Sequence, residues 1–207
     1  MLPTDRRAAL KARHRRAIIE AATALISESG AARFSVDQLA ARADVSRRTV
    51  FNHFASIDDI VTTACTDVLR VVVDNFRAVF TASPIEPGNR ASMFAAVAAA
   101  LRASDVPSVI AFIWQALGGF GPGDPRPQQI FQATFSRTTD ELARELAERN
   151  AAEDSLDAEL LVSSLMHGVE VIAHHWIAET GAATDEAALA LWARLLDRLI
   201  DNIRTGY

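Results

Sequence analysis

The spacing of apolar side chains predicts helices throughout the chain. Apolar residues recur every three or four positions across most of the 207 residues, and no stretch alternates strictly between apolar and polar positions. The first spacing fills one face of an α-helix, whereas alternation is typical of a half-buried strand. Glycine, proline or clustered polar residues break the pattern at 29–31, 83–88, 118–127, 150–155 and 180–181. The sequence therefore predicts an all-α fold of about eight or nine helices.

Two short helices joined by a tight turn are predicted between residues 35 and 54. Ser35 and Gln38 form a capping box, in which each side chain bonds the backbone N–H of the other residue, so a helix begins after Ser35. The apolar face of this helix carries Val36, Leu39, Ala40 and Ala43. Ser46 is a suitable N-cap for a second helix at Arg47–Phe54.

The predicted turn fits a helix-turn-helix motif. Such a motif requires a small residue where the helices cross, a turn residue that tolerates positive φ, and an apolar anchor on the second helix. Ala40, Asp44 and Val50 provide these at the required spacing, although another helical hairpin would accept the same residues. The outer face of the second helix favours duplex DNA over a solvated surface, because it carries several hydrogen-bond donors. These donors are Arg47, Arg48, Thr49, Asn52 and His53.

The segment Phe34–Phe54, FSVDQLAARADVSRRTVFNHF, resembles the N-terminal signature of TetR-type transcriptional regulators, and Arg15–Ser29 resembles their first helix. The resemblance implies an Ω-shaped homodimer whose recognition helices enter DNA major grooves and whose C-terminal body binds an effector and dimerises. It predicts a ligand-responsive regulator, a repressor that binds a palindromic operator and is released by a small hydrophobic effector.

The resemblance also assigns expected DNA contacts to individual residues. Arg47, Arg48 and Asn52 are the expected base contacts, because Arg can bond guanine and Asn can bond adenine. Phosphate and sugar contacts, which fix the register, are expected from a second group. That group comprises Ser35, Thr49, Phe51 and His53.

Two departures from the family pattern affect these contacts. The family commonly has Tyr at both aromatic positions of the recognition helix, where this chain has Phe51 and His53. The Lys that usually opens the fourth helix is replaced by Ile57, within a capping box at residues 56–59. One phosphate contact per subunit is therefore in question at position 57.

Charge divides the chain into two parts. The whole chain has 21 Lys and Arg against 26 Asp and Glu, and this net charge of −5 alone argues against a polyanionic partner. Residues 1–54, however, contain ten basic and five acidic residues, so they carry +5 and the remainder carries −10. The shift predicts a boundary near residue 55. We expect an arm at 1–14, a helix-turn-helix domain at 15–55, and an effector-binding and dimerisation domain at 56–207.

We call residues 1–54 the head. The excess of basic over acidic residues in the head lies near its N-terminus. Residues 1–16 hold six of the basic residues and one acid. We hypothesise that Arg6, Arg7, Lys11 and Arg13 lie along the DNA backbone or in a minor groove. A disordered solubilising tail is the alternative.

The acidic body contains aromatic residues that suit either a core or an apolar effector pocket. The expected pocket residues are Phe76, Met93, Phe112, Trp114, Phe131 and Phe135, with His167 and Glu170 as polar members. The glycine-rich segment at 118–127 lacks the strand and the Lys of a phosphate-binding loop, so we interpret it as a connection. His167, Glu170 and His174 lack the second helix of ligands that a metal site requires, and no metal or cofactor is expected.

The last two predicted helices, Asp157–Ala178 and Thr184–Arg204, have broad apolar faces that suit a twofold four-helix interface. Packing of these faces onto the body is the alternative. The expected interface residues are Leu165, Val169, Ile172, Trp176, Trp192, Leu196 and Leu199.

Other classes of protein fit the sequence less well. A single thiol, Cys65, excludes an internal disulfide, and the longest apolar run, Met93–Leu101, is too short for a membrane helix. We therefore expect a cytoplasmic protein without membrane contact. A helical enzyme centred on His167 lacks a paired nucleophile and base. A related sensor that has lost DNA binding remains a third interpretation.

Overall fold

The computed structural model describes residues 3–29, 34–84, 86, 89–119, 136, 139–140, 143–144, 148 and 155–205. This part of the chain contains eight helices and no strand, so the predicted all-α fold is confirmed. The helices are α1 (Pro3–Ser29), α2 (Val36–Arg42), α3 (Arg47–His53), α4 (Ile57–Ala82), α5 (Arg90–Ala103), α6 (Val106–Ala116), α7 (Ser155–Thr180) and α8 (Glu186–Thr205).

Contacts divide the chain into two compact units. The first comprises Met1–Val68 and Phe112–Ile130, and the second comprises Leu69–Ala111 and Phe131–Tyr207. The first unit contains the helix-turn-helix segment, and the second contains α5, α7 and α8. The boundaries between the units fall within α4, after Val68, and within α6, after Ala111.

The core of the first unit is formed by one stripe of α1 together with the inner faces of α2 and α3. Ile18, Ala22 and Ile26 recur at intervals of four along α1, and all three are fully buried. Leu39 of α2 and Val50 of α3 are also fully buried, and the three helices contact one another. This spacing gives each helix a single apolar stripe that faces the other two helices.

The helix α1 begins at Pro3, earlier than the predicted start at Arg15. Proline is favoured in the first turn of a helix, where its missing N–H needs no partner. Residues 6–17 consist of Arg, Ala, Leu, Lys and His, most of which are strong helix formers. The basic segment from residue 3 to residue 14 is therefore the N-terminal part of α1.

The helices α7 and α8 pack closely as a hairpin within the second unit. Trp176 and Trp192 meet edge to face with ring centroids 5.8 Å apart, and Trp176 Nε1 donates to the carbonyl of Ala188 at 2.8 Å. A Cβ added to Gly168 would lie 2.2 Å from Leu199 Cδ1, so the helices approach where a side chain is absent. Gly181, with a φ of +62°, follows the end of α7.

One helix boundary was absent from the sequence prediction. The sequence prediction has no break between residues 88 and 118, yet the structure ends α5 at Ala103 and begins α6 at Val106. Pro107 lies in the first turn of α6, and the Asp105 carboxylate accepts the backbone N–H of Ser108 at 3.3 Å. A cap followed by an early proline is a helix-start signal, and Asp105 and Pro107 supply it here.

No single helix in the described ranges is long and apolar enough to cross a membrane. The consecutive helices α5 and α6 pass the same test only as a pair, with a bend of 54° between them.

Candidate nucleic-acid interface

The turn between α2 and α3 has the geometry that the sequence predicts. Asp44 has a φ of +51°, which confirms that a residue tolerant of positive φ occupies the turn. The N–H of Val45 bonds the carbonyl of Ala40 at 3.0 Å, and the N–H of Asp44 bonds the carbonyl of Ala41 at 3.3 Å. These two bonds form a Schellman motif, which satisfies the last carbonyls of α2 and reverses the chain.

Both short helices have side-chain caps. The Ser35 hydroxyl accepts the N–H of Gln38 at 3.2 Å, and the Gln38 side chain accepts the N–H of Ser35 at 2.8 Å, so the predicted capping box is confirmed. The Ser46 hydroxyl accepts the N–H of Thr49 at 3.0 Å and lies 2.8 Å from the Thr49 hydroxyl. Because the caps satisfy N–H groups of the first turn that have no partner within the helix, they stabilise both short helices.

An ion pair joins the end of α1 to α2. The Arg42 guanidinium donates to both carboxylate oxygens of Glu28, and this hydrogen bonding lowers the pKa of Glu28. Arg15 lies 5.0 Å from the centroid of the Phe54 ring, which links α1 to the end of α3. These contacts hold α1 against α2 and against the end of α3, and we call this three-helix assembly the reading head.

The outer face of α3 is open to solvent. Arg48 and Asn52 are exposed, and Phe51 is 51% exposed, while Val50 on the inner face is fully buried. Arg47 is also exposed, although its Nη1 contacts the Asp37 carboxylate at 3.2 Å. An exposed helix with guanidinium, amide and aromatic groups on one side can present base-edge donors and an apolar contact to a major groove.

His53 lies at the end of α3 in an environment that keeps its ring neutral. Its Nδ1 is buried and has no hydrogen-bond partner among the residues that the structure describes, and its ring meets His14 edge to face with centroids 6.1 Å apart. Burial lowers the pKa of His53, and the nearby positive charges of His14, Lys11 and Arg15 lower this pKa further. Nothing local in the sequence indicates that His14 meets His53, because the two positions are far apart along the chain.

The start of α4 carries acids rather than a cation. The Ser56 hydroxyl accepts the N–H of Asp59 at 3.1 Å, while the Asp59 carboxylate accepts the N–H of Ala55 at 3.1 Å. The cap is therefore confirmed, with the reciprocal bond made to Ala55 rather than to Ser56. Ile57 follows the cap and is half-buried, and Asp58 accompanies Asp59 in the first turn.

The expected effector-pocket residues occupy separate places. Met93 is buried and lines a groove between α5, α7 and α8, whereas His167 lines a different groove between α7 and α8. Phe76 is buried and stacks on Phe80 with centroids 5.9 Å apart. The remaining aromatic members fall into two groups. Phe112 and Trp114 belong to the first compact unit, and Phe131 and Phe135 lie outside the described residues.

The groove that Met93 lines has an apolar floor and a charged rim, with a volume of about 680 Å³. On its rim, Arg90 contacts Asp157 and Arg102 contacts Asp197, each at 2.9 Å. The floor includes Met93, Phe94, Leu161, Ile200 and Ile203.

The polar group around His167 is exposed rather than enclosed. The His167 side chain is 79% exposed and its Nδ1 lies 3.6 Å from the Glu170 carboxylate. Within the described ranges, no three His, Cys, Asp or Glu side chains are grouped closely enough to hold a metal ion. Cys65 is buried, and burial raises the pKa of its thiol to about 12.

Most of the expected dimer residues are buried inside the single chain. Six of them have at most 8% of their surface exposed, and Leu199 alone is half-buried. The six are Leu165, Val169, Ile172, Trp176, Trp192 and Leu196. Their apolar faces therefore serve the core of the second unit in the described structure.

Comparisons with known proteins agree with this geometry. Residues 18–64 match the family model for bacterial regulatory proteins of the tetR family. A crystal structure attributed to a TetR-family transcriptional regulator from Mesorhizobium loti MAFF303099 has a TM-score of 0.57 at 20% identity, covering 95% of this chain and 98% of that chain. A TetR-like transcriptional regulator from Rhodococcus sp. RHA1 has a TM-score of 0.50 at 19% identity, covering 94% and 97%. No curated protein matches the sequence.

The capped and braced helix-turn-helix, with its exposed α3 face, defines a transcriptional regulator that acts by binding DNA. Residues 18–64 therefore carry the DNA-binding domain of the tetR family, and the fold over most of the chain is similar to that of TetR-family regulators. Members of this family are DNA-binding regulators and not enzymes.

Proposed function

We propose that the protein is a ligand-responsive repressor, which binds a palindromic operator as a homodimer and leaves it when a small hydrophobic effector binds. The exposed outer face of the capped helix α3 is the observation that carries this proposal. The effector acts by population shift, because it must bind the released conformation more tightly than the operator-bound one. The protein acts in the cytoplasm, where its DNA partner is found.

In the proposed complex, the residues of α3 divide between base and backbone contacts. Arg47, Arg48 and Asn52 contact base edges, and Arg47 exchanges its pair with Asp37 for this contact. The exposed Phe51 ring contacts sugar or a thymine methyl group. The other expected contacts come from Ser35, Thr49 and His53, of which Ser35 and Thr49 already take part in helix caps. Ser35 and Thr49 contact phosphate while remaining in their caps, since a hydroxyl can both donate and accept a hydrogen bond.

The proposal is tested by titrating the purified protein against the DNA upstream of its own gene at several salt concentrations. We expect a saturable complex whose affinity falls steeply with salt, because bound Lys and Arg release counterions from the phosphates. A protein that forms no such complex with this DNA, while remaining folded, would be a sensor without DNA binding. The acids Asp58 and Asp59 at the start of α4 are the feature that favours this second candidate.

The groove between α5, α7 and α8 is the proposed effector site. Its volume of about 680 Å³ and its apolar floor suit a small hydrophobic molecule. Ala95 lines this groove, whereas Ala99, one turn further along α5, is exposed and does not line it. A compound that releases operator DNA from the wild type should fail to do so from Ala95→Trp and succeed with Ala99→Trp. Equal release from both variants would place the effector elsewhere.

The proposed dimer interface uses the exposed side of the hairpin formed by α7 and α8. A groove of about 800 Å³ runs between these helices, with Val171, Leu195 and Leu199 among its lining residues. Val171 is 44% exposed in the single chain, so a partner can cover it. The six buried residues would then support this surface from beneath.

Sedimentation of a charged variant tests this interface. Val171→Glu should be monomeric, because it places a buried, unpaired carboxylate in the proposed interface. Leu156→Glu is the matched control: it introduces the same charge on α7 at a residue that is 55% exposed and outside this groove. A Val171→Glu protein that sediments as a dimer would contradict the proposed seam.

A further inference from the structure

The first three turns of α1 form a basic rod that continues into the reading head. From Pro3 to His14 the helix extends about 16 Å at 1.5 Å per residue, roughly half a turn of duplex DNA. Arg7, Lys11 and Arg13 are all exposed along this rod. Because the rod is continuous with the buried stripe of α1, its direction is fixed by the packing of the head.

One face of the rod points toward the end of the recognition helix. Arg7, Lys11 and His14 follow one another at i, i+4 and i+7, and Ile18 continues the same face at i+11. Ile18 is fully buried in the head, and His14 meets His53 of α3. Lys11 lies close enough for its charge to lower the pKa of His53. The basic face therefore begins where α3 ends.

The cations of this face have no ion-pair partner within the described structure. No described carboxylate lies within ion-pair distance of Arg7 or Lys11, in contrast to Arg42 and Arg47 on α2 and α3. Unpaired, exposed guanidinium and ammonium groups keep their full attraction for an external anion. Duplex DNA offers one negative charge about every 1.7 Å along its axis, next to the helix that enters its groove.

We propose that residues 3–14 are a rigid phosphate-binding extension of the reading head, in which Arg7, Lys11 and His14 contact the DNA backbone beside the bases read by α3. This inference rests on the proposed DNA-binding function. An anionic membrane is the less suitable partner, because a membrane-surface helix needs a broad apolar face. Among the described side chains of this rod, Leu10 is the one large apolar residue.

The test measures affinity against salt for a fluorescent duplex that the wild-type protein has selected from a random-sequence pool. Lys11→Gln should weaken binding to selected and unselected duplexes alike and reduce the salt slope by about one per subunit. The double variant Arg7→Gln/Lys11→Gln should reduce the slope by about two per subunit. Arg16→Gln is the matched control, since Arg16 is exposed, has the same charge and lies on the opposite face of α1.

A second pair of changes separates a rigid rod from a flexible basic tail. Ala8→Gly/Ala12→Gly keeps every charge but disfavours the helix by about 1 kcal/mol per substitution. A rigid rod predicts weaker DNA binding together with reduced helical circular dichroism. Unchanged affinity with reduced helicity would overturn the rigid extension.

The outcomes also separate this inference from the function on which it rests. A wild-type protein that binds no duplex contradicts both. A wild-type protein that binds DNA, with equal salt slopes for Lys11→Gln and Arg16→Gln, contradicts the extension and leaves the proposed function standing. Binding to vesicles of anionic lipid that is lost in Lys11→Gln, with no change in DNA binding, would assign the rod to a membrane instead.

Discussion

At the scale of single residues, His53 shows how the head balances stability against contact with an anion. Burial and the nearby cations of α1 both lower the pKa of His53, so the fold favours the neutral imidazole. A phosphate placed beside this ring would favour the charged form instead. The Tyr that the family commonly carries at this position would supply a hydrogen bond without this conflict.

The lowered pKa of His53 predicts a loss of stability in acid. In the unfolded chain the ring titrates near its ordinary pKa of about 6.5, whereas in the folded chain it takes up its proton only at lower pH. The unfolded state therefore binds more protons in this window, and the free energy of unfolding falls as the pH drops below about 6.5 and through the lowered pKa. Urea unfolding at several pH values should show this fall reduced in His53→Gln. Identical pH profiles for the two proteins would contradict it.

At the scale of helices and turns, much of the head could be predicted from sequence. The capping residues Ser35 and Ser46 and the turn at Asp44 act locally, so their signals are readable in a few consecutive residues. The start of α1 could not be placed, because helix propensity alone does not distinguish an ordered basic helix from a disordered tail. The break at Ser104 and Asp105 is short and contains no glycine, although Pro107 marks the start of α6.

The left-handed conformation of Asp44 predicts that glycine is better there. Asp44→Gly should raise the free energy of unfolding by up to about 1 kcal/mol, because it removes the Cβ clash of a positive φ. Ala41→Gly is the control, since it introduces the same residue on the exposed side of α2 at ordinary helical geometry. This control should lower the stability by about 1 kcal/mol. Denaturant unfolding of both variants checks the two signs, and a destabilised Asp44→Gly would refute the explanation.

The close approach of α7 to α8 predicts sensitivity at Gly168. Gly168→Ala should destabilise the protein by about 1–3 kcal/mol, because its methyl group would overlap the Leu199 side chain. Ser164→Ala, one turn earlier on α7 and exposed, should change stability little. Thermal unfolding distinguishes them. Equal melting temperatures for the two variants would show that Leu199 moves aside without cost.

At the scale of the whole molecule, residues 1–54 and the remainder of the chain carry net charges of opposite sign. The net charge of −5 is the sum of +5 on residues 1–54 and −10 on the remainder, so the attraction for phosphate is confined to residues 1–54, which include the beginning of α1. An acidic body repels DNA, and this repulsion favours approach by the head.

The functional residues of the body were harder to predict from sequence than those of the head. A buried core and an apolar interface have the same helical spacing, so Leu165 and Trp176 fitted either role until the structure showed them buried. Aromatic character suggests that a residue could line an apolar pocket, but it does not indicate which cavity the side chain lines. Met93 and His167 accordingly line different grooves.

Base reading by α3 is the central claim, and Asn52→Ala tests it most directly because Asn52 is exposed and uncharged. Affinity is measured for a wild-type-selected duplex and for an unselected duplex, with Asn75→Ala, an exposed residue of α4, as control. We predict that Asn52→Ala weakens binding to the selected duplex by about 1–3 kcal/mol, roughly 5- to 150-fold, with an unchanged salt slope and unchanged binding to the unselected duplex. Equal affinities of Asn52→Ala and Asn75→Ala for the selected duplex would contradict it.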